Sequence, residues 1–318
     1  MQKPPAPARF DGRRFHNQQR SARSLRQLLR WLWQRQPGPW QRNMKLPPGP
    51  PPPARVAGEA LRVTFVNHAT VLIQTGGLNI LTDPIWSQRA SPLPFFGPRR
   101  YRPPGIRFED LPGIDVILLS HDHYDHMDIP TLRHLHQRDA PLIVAGLRQS
   151  EVLGRHGLTR VVELDWWQQH ALAKDFRLHG VPARHWTGRG LRDQGRRLWL
   201  GFVIDTPGGM IYFAGDTGMG GHFEQIHARF GAPRLALLPI GAWLPEWFMA
   251  PVHISPAQAV AVHQLMAAET SVGIHYGTFR LADDGQHDAP RALRRAREEA
   301  GLRPEAFRVL AFGEGRNL

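Results

Sequence analysis

Short apolar runs bounded by glycine, proline or charged residues recur along the chain, and each predicts a buried strand. The runs lie at residues 61–66, 70–74, 78–81, 115–119, 142–145, 161–164, 199–204, 210–213, 235–239, 271–274 and 307–310. Helices are predicted near residues 147–156, over 256–268 after the N-cap Ser255, and over 289–300 before Gly301. Strands that alternate with helices in this way indicate an α/β chain.

An amphipathic pattern marks the amino-terminal region. Leucines at i, i+3, i+4 and i+7, with arginines around them and tryptophans beside them, predict a short basic helix; they are Leu25, Leu28, Leu29 and Leu32. The proline-rich stretch at residues 46–53 cannot join a helix or a central strand, so it predicts an extended linker. We therefore expect an amino-terminal arm over residues 1–54 and one folded domain over residues 55–318.

Most of the net positive charge lies in that arm. The formal net charge is +13, and residues 1–45 contribute +10 of it, from eleven basic residues and one acid. The basic residues are Lys3, Arg9, Arg13, Arg14, Arg20, Arg23, Arg26, Arg30, Arg35, Arg42 and Lys45. Because the remaining chain carries no basic stripe, we expect no nucleic acid partner. Docking on the adjacent domain is the first interpretation of the helix, and peripheral contact with an anionic membrane through residues 1–45 is the second.

The sequence also limits the location of the chain and its ligands. No uninterrupted apolar run of about seven residues precedes Pro37 and no small-residue cleavage site follows, so no signal peptide is expected. No run reaches the roughly 18 apolar residues of a membrane span. We expect a cytoplasmic protein, with peripheral contact at the inner membrane face as an option. Since the chain has no cysteine, histidines and carboxylates must hold any metal.

A histidine-rich segment follows directly behind the apolar run at 115–119. Residues 120–128 read Ser-His-Asp-His-Tyr-Asp-His-Met-Asp, on the loop at the carboxyl end of a buried strand, where α/β sheets hold their chemistry. His121 and His123 are two apart in an extended chain and point to one side, and Asp125 and His126 supply a second pair. Imidazole and carboxylate are ligands of zinc and similar divalent metals, so the motif predicts a metal site.

Further histidines and carboxylates come just after other predicted strands or in the loops between them. Asp216 lies between glycines near a strand end, where its two oxygens can bridge two metals. His275 directly follows a strand, and His185 and His253 lie in loops. Because these residues lie near strand ends or in the connecting loops, we expect them to form one candidate site with the histidine-rich segment.

Two features remain open at the level of sequence. Asp83, which follows the run at 78–81, is either an ordinary turn residue or an acceptor that orients a ligand histidine. The irregular segment at 86–107 contains Phe95, Phe96 and an arginine cluster. It either covers an apolar, anionic substrate or plugs the core with its aromatic side chains.

The order of the candidate ligands resembles the metallo-β-lactamase superfamily: His121-x-His123-x-Asp125-His126, then His185, Asp216 and His275. Eight further blocks are similar to the branch of N-acylphosphatidylethanolamine-hydrolysing phospholipase D and its bacterial relatives: NHAT at 67–70, LTDPI at 81–85, RASP at 89–92, GPRR at 97–100, ELDWW at 163–167, PIGA at 239–242, WFM at 247–249 and HYGTF at 275–279. The resemblance covers about residues 60–315. It implies a four-layer αβ/βα sandwich, in which two mixed β-sheets are flanked by helices.

The resemblance also implies the roles of individual residues. One zinc ion would be held by His121, His123 and His185, a second by Asp125, His126 and His275, and Asp216 would bridge the two. Iron and manganese suit the same donors. Asp125 is thereby also a catalytic candidate.

Five further residues lie near these ligands in the sequence pattern or in the family. His253 matches the family's histidine near the reacting phosphate or the leaving group. Tyr124 lies between the ligands, where substrate preference is expected, and is a further catalytic candidate. His68 and Asp83 are expected beside the ligands. Asp122 departs from the asparagine expected in the animal enzymes, and this extra acid can alter local pKa values.

These assignments predict a zinc-dependent phosphodiesterase of phospholipase D type acting on N-acylphosphatidylethanolamine or related phospholipids. A hydroxide held by two metals would attack phosphorus, and His253 or a metal-held water would protonate the leaving alcohol. The alternatives are a lactonase or another ester or amide hydrolase on the same fold, and a membrane-binding protein with a structural metal site. The sequence leaves the oligomeric state open, with a homodimer as one option.

Overall fold

The computed structural model describes residues 6–19, 24–42, 44, 46–190 and 192–318. Four basic residues of the predicted arm, Lys3, Arg20, Arg23 and Lys45, lie outside these ranges. The described chain forms two seven-stranded sheets, a short two-stranded hairpin and the helices that cover the sheets. None of the helices in the described ranges is long and apolar enough to cross a membrane.

The elements are numbered along the chain. The strands are β1 (Arg9–Phe10), β2 (Phe15–His16), β3 (Leu61–Asn67), β4 (Thr70–Thr75), β5 (Leu78–Thr82), β6 (Val116–Leu119), β7 (Leu142–Gly146), β8 (Val161–Leu164), β9 (Gln169–Ala173), β10 (Phe176–Val181), β11 (Gly201–Asp205), β12 (Ile211–Phe213), β13 (Leu235–Pro239), β14 (Thr270–Ile274), β15 (Phe307–Arg308) and β16 (Gly315–Asn317). The helices are α1 (Leu25–Gln34), α2 (Ile129–Asp139), α3 (Ser150–Gly154), α4 (His222–Phe230), α5 (Glu246–Met249), α6 (Pro256–Leu265) and α7 (Asp288–Glu299).

Both large sheets are mixed. The order across the first sheet is β16-β3-β4-β5-β6-β7-β8, antiparallel from β16 to β5 and parallel from β5 to β8. The order across the second sheet is β15-β14-β13-β12-β11-β10-β9, parallel from β15 to β12 and antiparallel from β12 to β9. Because parallel strands end at the same edge of a sheet, their carboxyl-terminal loops collect there.

Apolar side chains fill the space between the sheets and beneath the helices. The largest core cluster joins the two inner sheet faces, with Phe65 and Ile73 from the first sheet and Phe202 and Leu237 from the second, and it extends to α4, α6 and α7. A second cluster packs the outer face of the first sheet, including Leu119, against α2 and α3. Helix, sheet, sheet and helix form four layers, which confirms the predicted sandwich of two mixed sheets flanked by helices.

Each predicted apolar run coincides with a strand, and the ends of run and strand differ by at most two residues. The apolar pattern missed α2, α4, α5, β1, β2, β9, β10 and β16. β9 buries none of its residues, and its side chains alternate between exposed and half-buried positions. α2 and α4 each bury one face and carry histidines and arginines in the last turn, so their apolar signal is weak.

The predicted amphipathic helix of the arm is present as α1. It begins with a capping box, in which the side chains of Ser24 and Gln27 pair with each other's backbone N–H groups. Its Trp31 ring stacks on Phe248 of α5, with 4.9 Å between ring centroids, and Trp31 Nε1 donates to Asp283 at 3.2 Å. α1 therefore contacts the domain through one side, and the leucine stripe of Leu25, Leu28, Leu29 and Leu32 remains between 37% and 70% exposed.

Candidate metal centre

The candidate site lies where loops from both sheets meet. The first sheet contributes His68 after β3, Asp83 after β5, and His121, His123, Asp125 and His126 after β6; the second contributes His185 after β10, Asp216 after β12, His253 before α6 and His275 after β14. These residues form overlapping groups in which the potential ligand atoms of each group lie within 4.8 Å of one another. Folding thus brings together side chains from distant parts of the sequence.

One group consists of three histidines. His121 Nε2 lies 2.8 Å from His123 Nδ1, and His185 Nε2 lies 3.3 Å from the same His123 atom. His185 Nδ1 donates to the main-chain oxygen of Val252 at 3.0 Å. This hydrogen bond fixes the ring so that Nε2 faces the other two histidines, as the outer partner of a metal ligand does.

The second group surrounds one oxygen of Asp125. His126 Nε2 lies 3.3 Å from Asp125 Oδ2, and His275 Nε2 lies 3.4 Å from it. His68 Nε2 is 3.0 Å from the same oxygen. Three imidazoles therefore surround Asp125. His68 and His126 follow strands of the first sheet, and His275 follows a strand of the second.

Asp216 lies between the two groups. Its Oδ2 is 3.2 Å from His275 Nε2 and 3.3 Å from His126 Nε2. The same oxygen is 3.7 Å from His185 Nε2 and 4.0 Å from His121 Nε2. One carboxylate oxygen thus contacts members of both groups.

The buried polar atoms of this cluster that have no hydrogen-bond partner in the described chain include His123 Nε2 and Asp216 Oδ1. Buried polar atoms are almost always hydrogen-bonded, because leaving them unpaired costs about 1–3 kcal/mol each. Imidazole nitrogen and carboxylate oxygen are the donors that divalent transition metals accept. The residues present therefore fit a metal-binding site.

Burial lowers the pKa of all three histidines in the first group. The pKa of His121 falls well below its usual value, with neighbouring imidazoles adding to the effect of burial. Burial also brings the pKa of His123 to about 4 and that of His185 to about 3. Histidines with such low pKa values are neutral at pH 7 and keep the lone pair that a metal requires.

In the second group, neighbouring carboxylates raise the pKa of the histidines above the usual value. Burial alone would lower the pKa of His126 and His275, but the charges of Asp216 and Asp125 raise the pKa of His126 well above its usual value and that of His275 to about 9. Burial would likewise raise the pKa of both carboxyls, but His126 and His275 hold the pKa of Asp125 and Asp216 well below the usual range. In this arrangement protonated His126 and His275 balance the two carboxylates, and a divalent cation bound to the group would take the place of those protons.

Asp83 contacts the cluster from behind. Its Oδ2 accepts from His126 Nδ1 at 2.7 Å and from Ser120 Oγ at 2.5 Å, while its Oδ1 accepts from Ser120 N at 2.8 Å. Of the two interpretations left open by the sequence, these contacts match the acceptor that orients a ligand histidine.

Three residues of the site adopt the left-handed backbone region that favours glycine. The φ angles of His68, Asp83 and His275 are 48°, 33° and 63°. Such conformations cost about 1–3 kcal/mol each and persist only where surrounding contacts hold them. His275 N donates to His68 O at 2.7 Å, and His68 N donates to Thr278 Oγ1 at 3.1 Å. The backbone strain is thus concentrated where the site is assembled.

Two glycines allow loops to approach each other closely at the site, Gly215 between the two sheets and Gly241 within the second sheet. A Cβ atom at Gly215, which has a φ of 60°, would lie 2.6 Å from Ser120 Cβ. A Cβ atom at Gly241 would lie 2.0 Å from the main-chain oxygen of His275. Any larger residue at either position would push apart the loops that carry Asp216, His275 and the β6 motif.

The negative charge of Asp122 is compensated by partners that could not be identified from the sequence. Its buried carboxylate pairs with Arg197 and accepts from Gly188 N at 2.7 Å. Burial nevertheless raises the pKa of Asp122 above its usual value, against the lowering effect of Arg197. Arg197 also pairs with Asp193. Because residues 189–197 contain four arginines, no local signal distinguished the one that pairs with Asp122.

The open side of the cluster is formed by half-buried residues. The Tyr124 hydroxyl donates to the main-chain oxygen of Arg189 at 2.8 Å, and the Arg189 guanidinium lies 4.0 Å from the centroid of the Tyr124 ring. His253 Nδ1 is 3.9 Å from Asp216 Oδ2. Trp186, which the sequence analysis did not assign to the site, packs against the His123 ring at 4.2 Å between centroids.

The chain is similar to several known proteins. The family model described as Beta-lactamase superfamily domain matches residues 78–276. N-acyl-phosphatidylethanolamine-hydrolyzing phospholipase D 1 of Caenorhabditis elegans is 37% identical over 268 residues, which cover 80% of this chain and 75% of that protein. An uncharacterized protein of Mycobacterium tuberculosis is 40% identical over 228 residues, which cover 70% of this chain but 60% of that protein, less than two thirds of its length.

A solved structure with the same architecture is that of a novel metallo hydrolase from the hyperthermophilic archaeon Ignicoccus hospitalis. It superimposes with a TM-score of 0.62 at 23% sequence identity and covers 81% of this chain and 98% of that chain. At this identity the similarity supports the fold alone.

Proposed function

The chain belongs to the β-lactamase superfamily as a metal-dependent hydrolase, and from this premise we propose that it is a zinc-dependent phosphodiesterase of phospholipase D type. The proposed substrate is N-acylphosphatidylethanolamine or a related phospholipid. The observation that carries the hydrolytic chemistry is the position of Asp216 Oδ2 between two groups of buried ligand atoms. The relative from Caenorhabditis elegans supports the substrate class, since its name states hydrolysis of N-acylphosphatidylethanolamine.

We assign the metals to residues that already lie together. One zinc ion would be held by His121, His123 and His185, a second by Asp125, His126 and His275, and both would contact Asp216. Bound divalent cations supply Lewis acidity and lower the pKa of a water molecule towards about 7. Iron and manganese suit the same donors, so metal analysis is part of the test.

The chain's own residues orient these ligands and handle the proton of the leaving group. Asp83 keeps His126 in one orientation, and His68 does the same for Asp125. Water adds to phosphorus and loses a proton to solvent, the bond from phosphorus to the ethanolamine oxygen breaks, and His253 donates a proton to that oxygen and regains one from solvent. The products are phosphatidic acid and N-acylethanolamine. The Tyr124 hydroxyl donates to a main-chain oxygen, which supports a role in shaping the substrate pocket.

Exposed apolar residues support a lipid substrate and peripheral membrane contact. The arm patch consists of Leu25, Leu28, Leu29, Leu32, Trp33 and Trp247, and the loop patch consists of Leu93, Phe95 and Phe96. Trp33, Phe95 and Phe96 are more than two thirds exposed, at 86%, 75% and 71%. Tryptophan, phenylalanine and leucine beside arginine are typical of surfaces that enter the interface of an anionic membrane. Docking of α1 through Trp31 is compatible with this contact, because the two use different sides of the helix.

A groove beside the arm patch is suited to an acyl chain. It has a volume of about 540 Å³ and lies between α1 and α5. Its apolar lining comes from Trp31, Trp33, Leu244, Pro245 and Trp247. Pockets of about 300–1,000 Å³ with aromatic walls commonly hold small apolar ligands.

The direct test is turnover of N-acylphosphatidylethanolamine in mixed vesicles by the metal-loaded protein. We expect release of N-acylethanolamine and phosphatidic acid, and metal analysis should give two ions per chain. Absence of both products with the fully loaded protein would exclude this substrate and leave the family assignment intact.

A substrate panel separates the competing activities. Lactones, simple esters and amides in place of phosphodiesters test the alternative hydrolase on the same fold. A purely structural metal site predicts that His123→Ala leaves membrane binding intact and that the wild-type protein turns over none of the panel. Our proposal predicts turnover of the phosphodiester and its loss in His123→Ala.

A further inference from the structure

A second cavity lies between the arm and residues 89–101. Its volume is about 500 Å³, within the range of about 300–1,000 Å³ that small-ligand sites occupy. Six arginines line it: Arg35, Arg42, Arg89, Arg99, Arg100 and Arg280. Phe96, Pro98 and Tyr101 complete its side-chain walls, and none of the carboxylates in the described part of the chain lines it. We call this cavity the arginine basin.

Three of the six arginines in the basin have no carboxylate partner among the described residues, namely Arg42, Arg89 and Arg280. Arg89 donates to the main-chain oxygens of Pro94 and Gly97, at 3.1 Å and 2.7 Å, which carry no formal charge. Arg42 and Arg280 are exposed and have no ion-pair partner among the described residues. Arg35 has one carboxylate partner, Asp283, at 2.9 Å. The basin therefore gathers several positive charges that attract an anion.

Arg100 forms the floor of the basin. It is only 6% exposed, and its guanidinium donates to Asn67 Oδ1 at 3.0 Å and to main-chain oxygens of Ser87 and Ile85 at 3.1 Å and 3.0 Å. Burial lowers the pKa of Arg100 to about 9. Since a buried guanidinium is stabilised by a counter-charge, an anion in the basin would offset this cost.

The amino-terminal arm supplies one wall of the basin. Gly38 N donates to Asp283 O at 2.7 Å, Trp40 Nε1 donates to Asp284 O at 2.9 Å, and Gln41 N donates to Gln286 Oε1 at 3.1 Å. These bonds attach the segment that carries Arg35 and Arg42 to the loop before α7. The basin thus exists because the arm is docked on the domain.

The basin is adjacent to the metal centre but separate from it. None of the histidines or aspartates of the cluster lines it. The Arg100 guanidinium lies 5.0 Å from the centroid of the Phe279 ring, and the Phe279 ring meets the edge of His68 at 5.3 Å between centroids. One aromatic ring therefore separates the floor of the basin from the ligand cluster.

We propose that the arginine basin is a binding site for a phosphate group, distinct from the metal centre, and that an anionic phospholipid presents this group. Guanidinium groups bind oxyanions through paired hydrogen bonds, and the tetrahedral oxygens of a phosphate group allow guanidiniums from different walls of the cavity to bind it together. The lipid source is favoured because Phe96, a member of the exposed loop patch, forms part of the wall. The site does not depend on the proposed reaction, so binding alone tests it.

The experiment compares two double variants of the full-length, metal-loaded protein. Arg42→Gln with Arg280→Gln removes two exposed charges from the basin, and Arg155→Gln with Arg303→Gln removes two exposed charges elsewhere. Co-sedimentation with phosphatidylcholine vesicles, with and without phosphatidylglycerol, measures lipid binding. Calorimetry with inorganic phosphate measures binding of the free anion, and thermal unfolding with metal analysis checks that both variants are folded and loaded.

We expect the basin variant to bind phosphatidylglycerol vesicles about 30-fold more weakly than wild type, and the control variant to change by less than about twofold. Loss of inorganic phosphate binding in the basin variant alone, with equal vesicle binding by all proteins, would keep the phosphate site but overturn the lipid source. Equal losses in both variants, or no loss in either assay, would overturn the proposal altogether.

Discussion

The metal centre and the surface around it are built in opposite ways. In the centre, ten histidines and aspartates are buried or half-buried, and their ligand atoms form overlapping groups. The surrounding rim comprises the arm patch, the loop patch and the arginine basin, and it exposes most of its apolar and cationic side chains, with Arg100 as a buried exception. Substitutions in the centre disturb several neighbours at once, whereas exposed rim residues act nearly independently.

This difference divides the chemistry between the two regions. The centre contains the donors that metal-dependent hydrolysis requires. Buried hydrogen bonds hold its geometry and keep three strained backbone positions in place. The rim has the contacts that suit an amphiphilic, anionic partner. We therefore expect changes in the centre to abolish reaction or folding, and changes in the rim to alter which substrate the protein reaches.

The largest effect should come from the carboxylate that joins the two ligand groups. Asp216→Ala removes the oxygen that contacts His126, His185 and His275, so we expect loss of metal and a fall in kcat/KM of about 10³-fold or more. Turnover and metal content measured side by side will show this. Asp205→Ala, an exposed carboxylate at the end of β11, is the matched control and should behave as wild type. Wild-type turnover by Asp216→Ala would contradict the assignment.

The next largest effect is expected on the stability of the fold, from the buried ion pair between Asp122 and Arg197. Arg197→Met leaves the buried Asp122 without its cationic partner, and we expect a loss of about 3–5 kcal/mol in the free energy of unfolding. Urea denaturation measures this loss. Arg196→Met alters an exposed neighbour and should change stability by less than about 0.5 kcal/mol. Similar midpoints for the two variants would show that the ion pair contributes little.

A smaller effect is expected from Asp83, which contacts the proposed metal ligand His126. Asp83→Asn weakens the acceptor that orients His126, so metal affinity or activity should fall about 10- to 100-fold. A competition titration with a metal chelator gives the affinity, and the fold should persist because asparagine has the same shape. Asp175→Asn, in an exposed turn between β9 and β10, serves as control. An unchanged affinity would mean that Asp83 serves only the turn after β5.

The smallest effect should come from the rim. Leu29→Gln with Trp33→Gln removes apolar surface from the arm patch, and we expect turnover of vesicle substrate to fall about tenfold more than turnover of a soluble short-chain phosphodiester. Phe10→Gln with Leu46→Gln changes two other exposed apolar residues and should leave that ratio unchanged. Equal losses on both substrates would place the effect in folding or metal binding instead of membrane contact.

The sequence predicted much of the fold because buried strands produce local apolar runs. The strands on either side of the β6 motif were found in this way, as was α1 from its leucine spacing. Elements with a weak apolar signal, such as β9 and α2, were missed because most of their side chains face solvent or carry charge. Tertiary packing forms these elements, and a local pattern does not record it.

The candidate site was likewise predictable where residues are adjacent in the chain. His121, His123, Asp125 and His126 share one loop, so their proximity follows from their spacing. Residues that join from distant segments, such as Arg197 beside Asp122 and Trp186 beside His123, gave no signal of their own. The role of Asp83 also depended on which side chains folding brings to it.

The sequence by itself determined the residue types that the chemistry needs, their order after the strands, and the basic, apolar character of the arm. The tertiary structure alone decided that ligands from two sheets converge around Asp216, that α1 docks through Trp31 while its leucines stay exposed, and that arginines from the arm and the domain share one cavity. The physical reason is that periodicity and ligand type are local properties of a chain. The convergence of distant side chains depends instead on how sheets and loops pack.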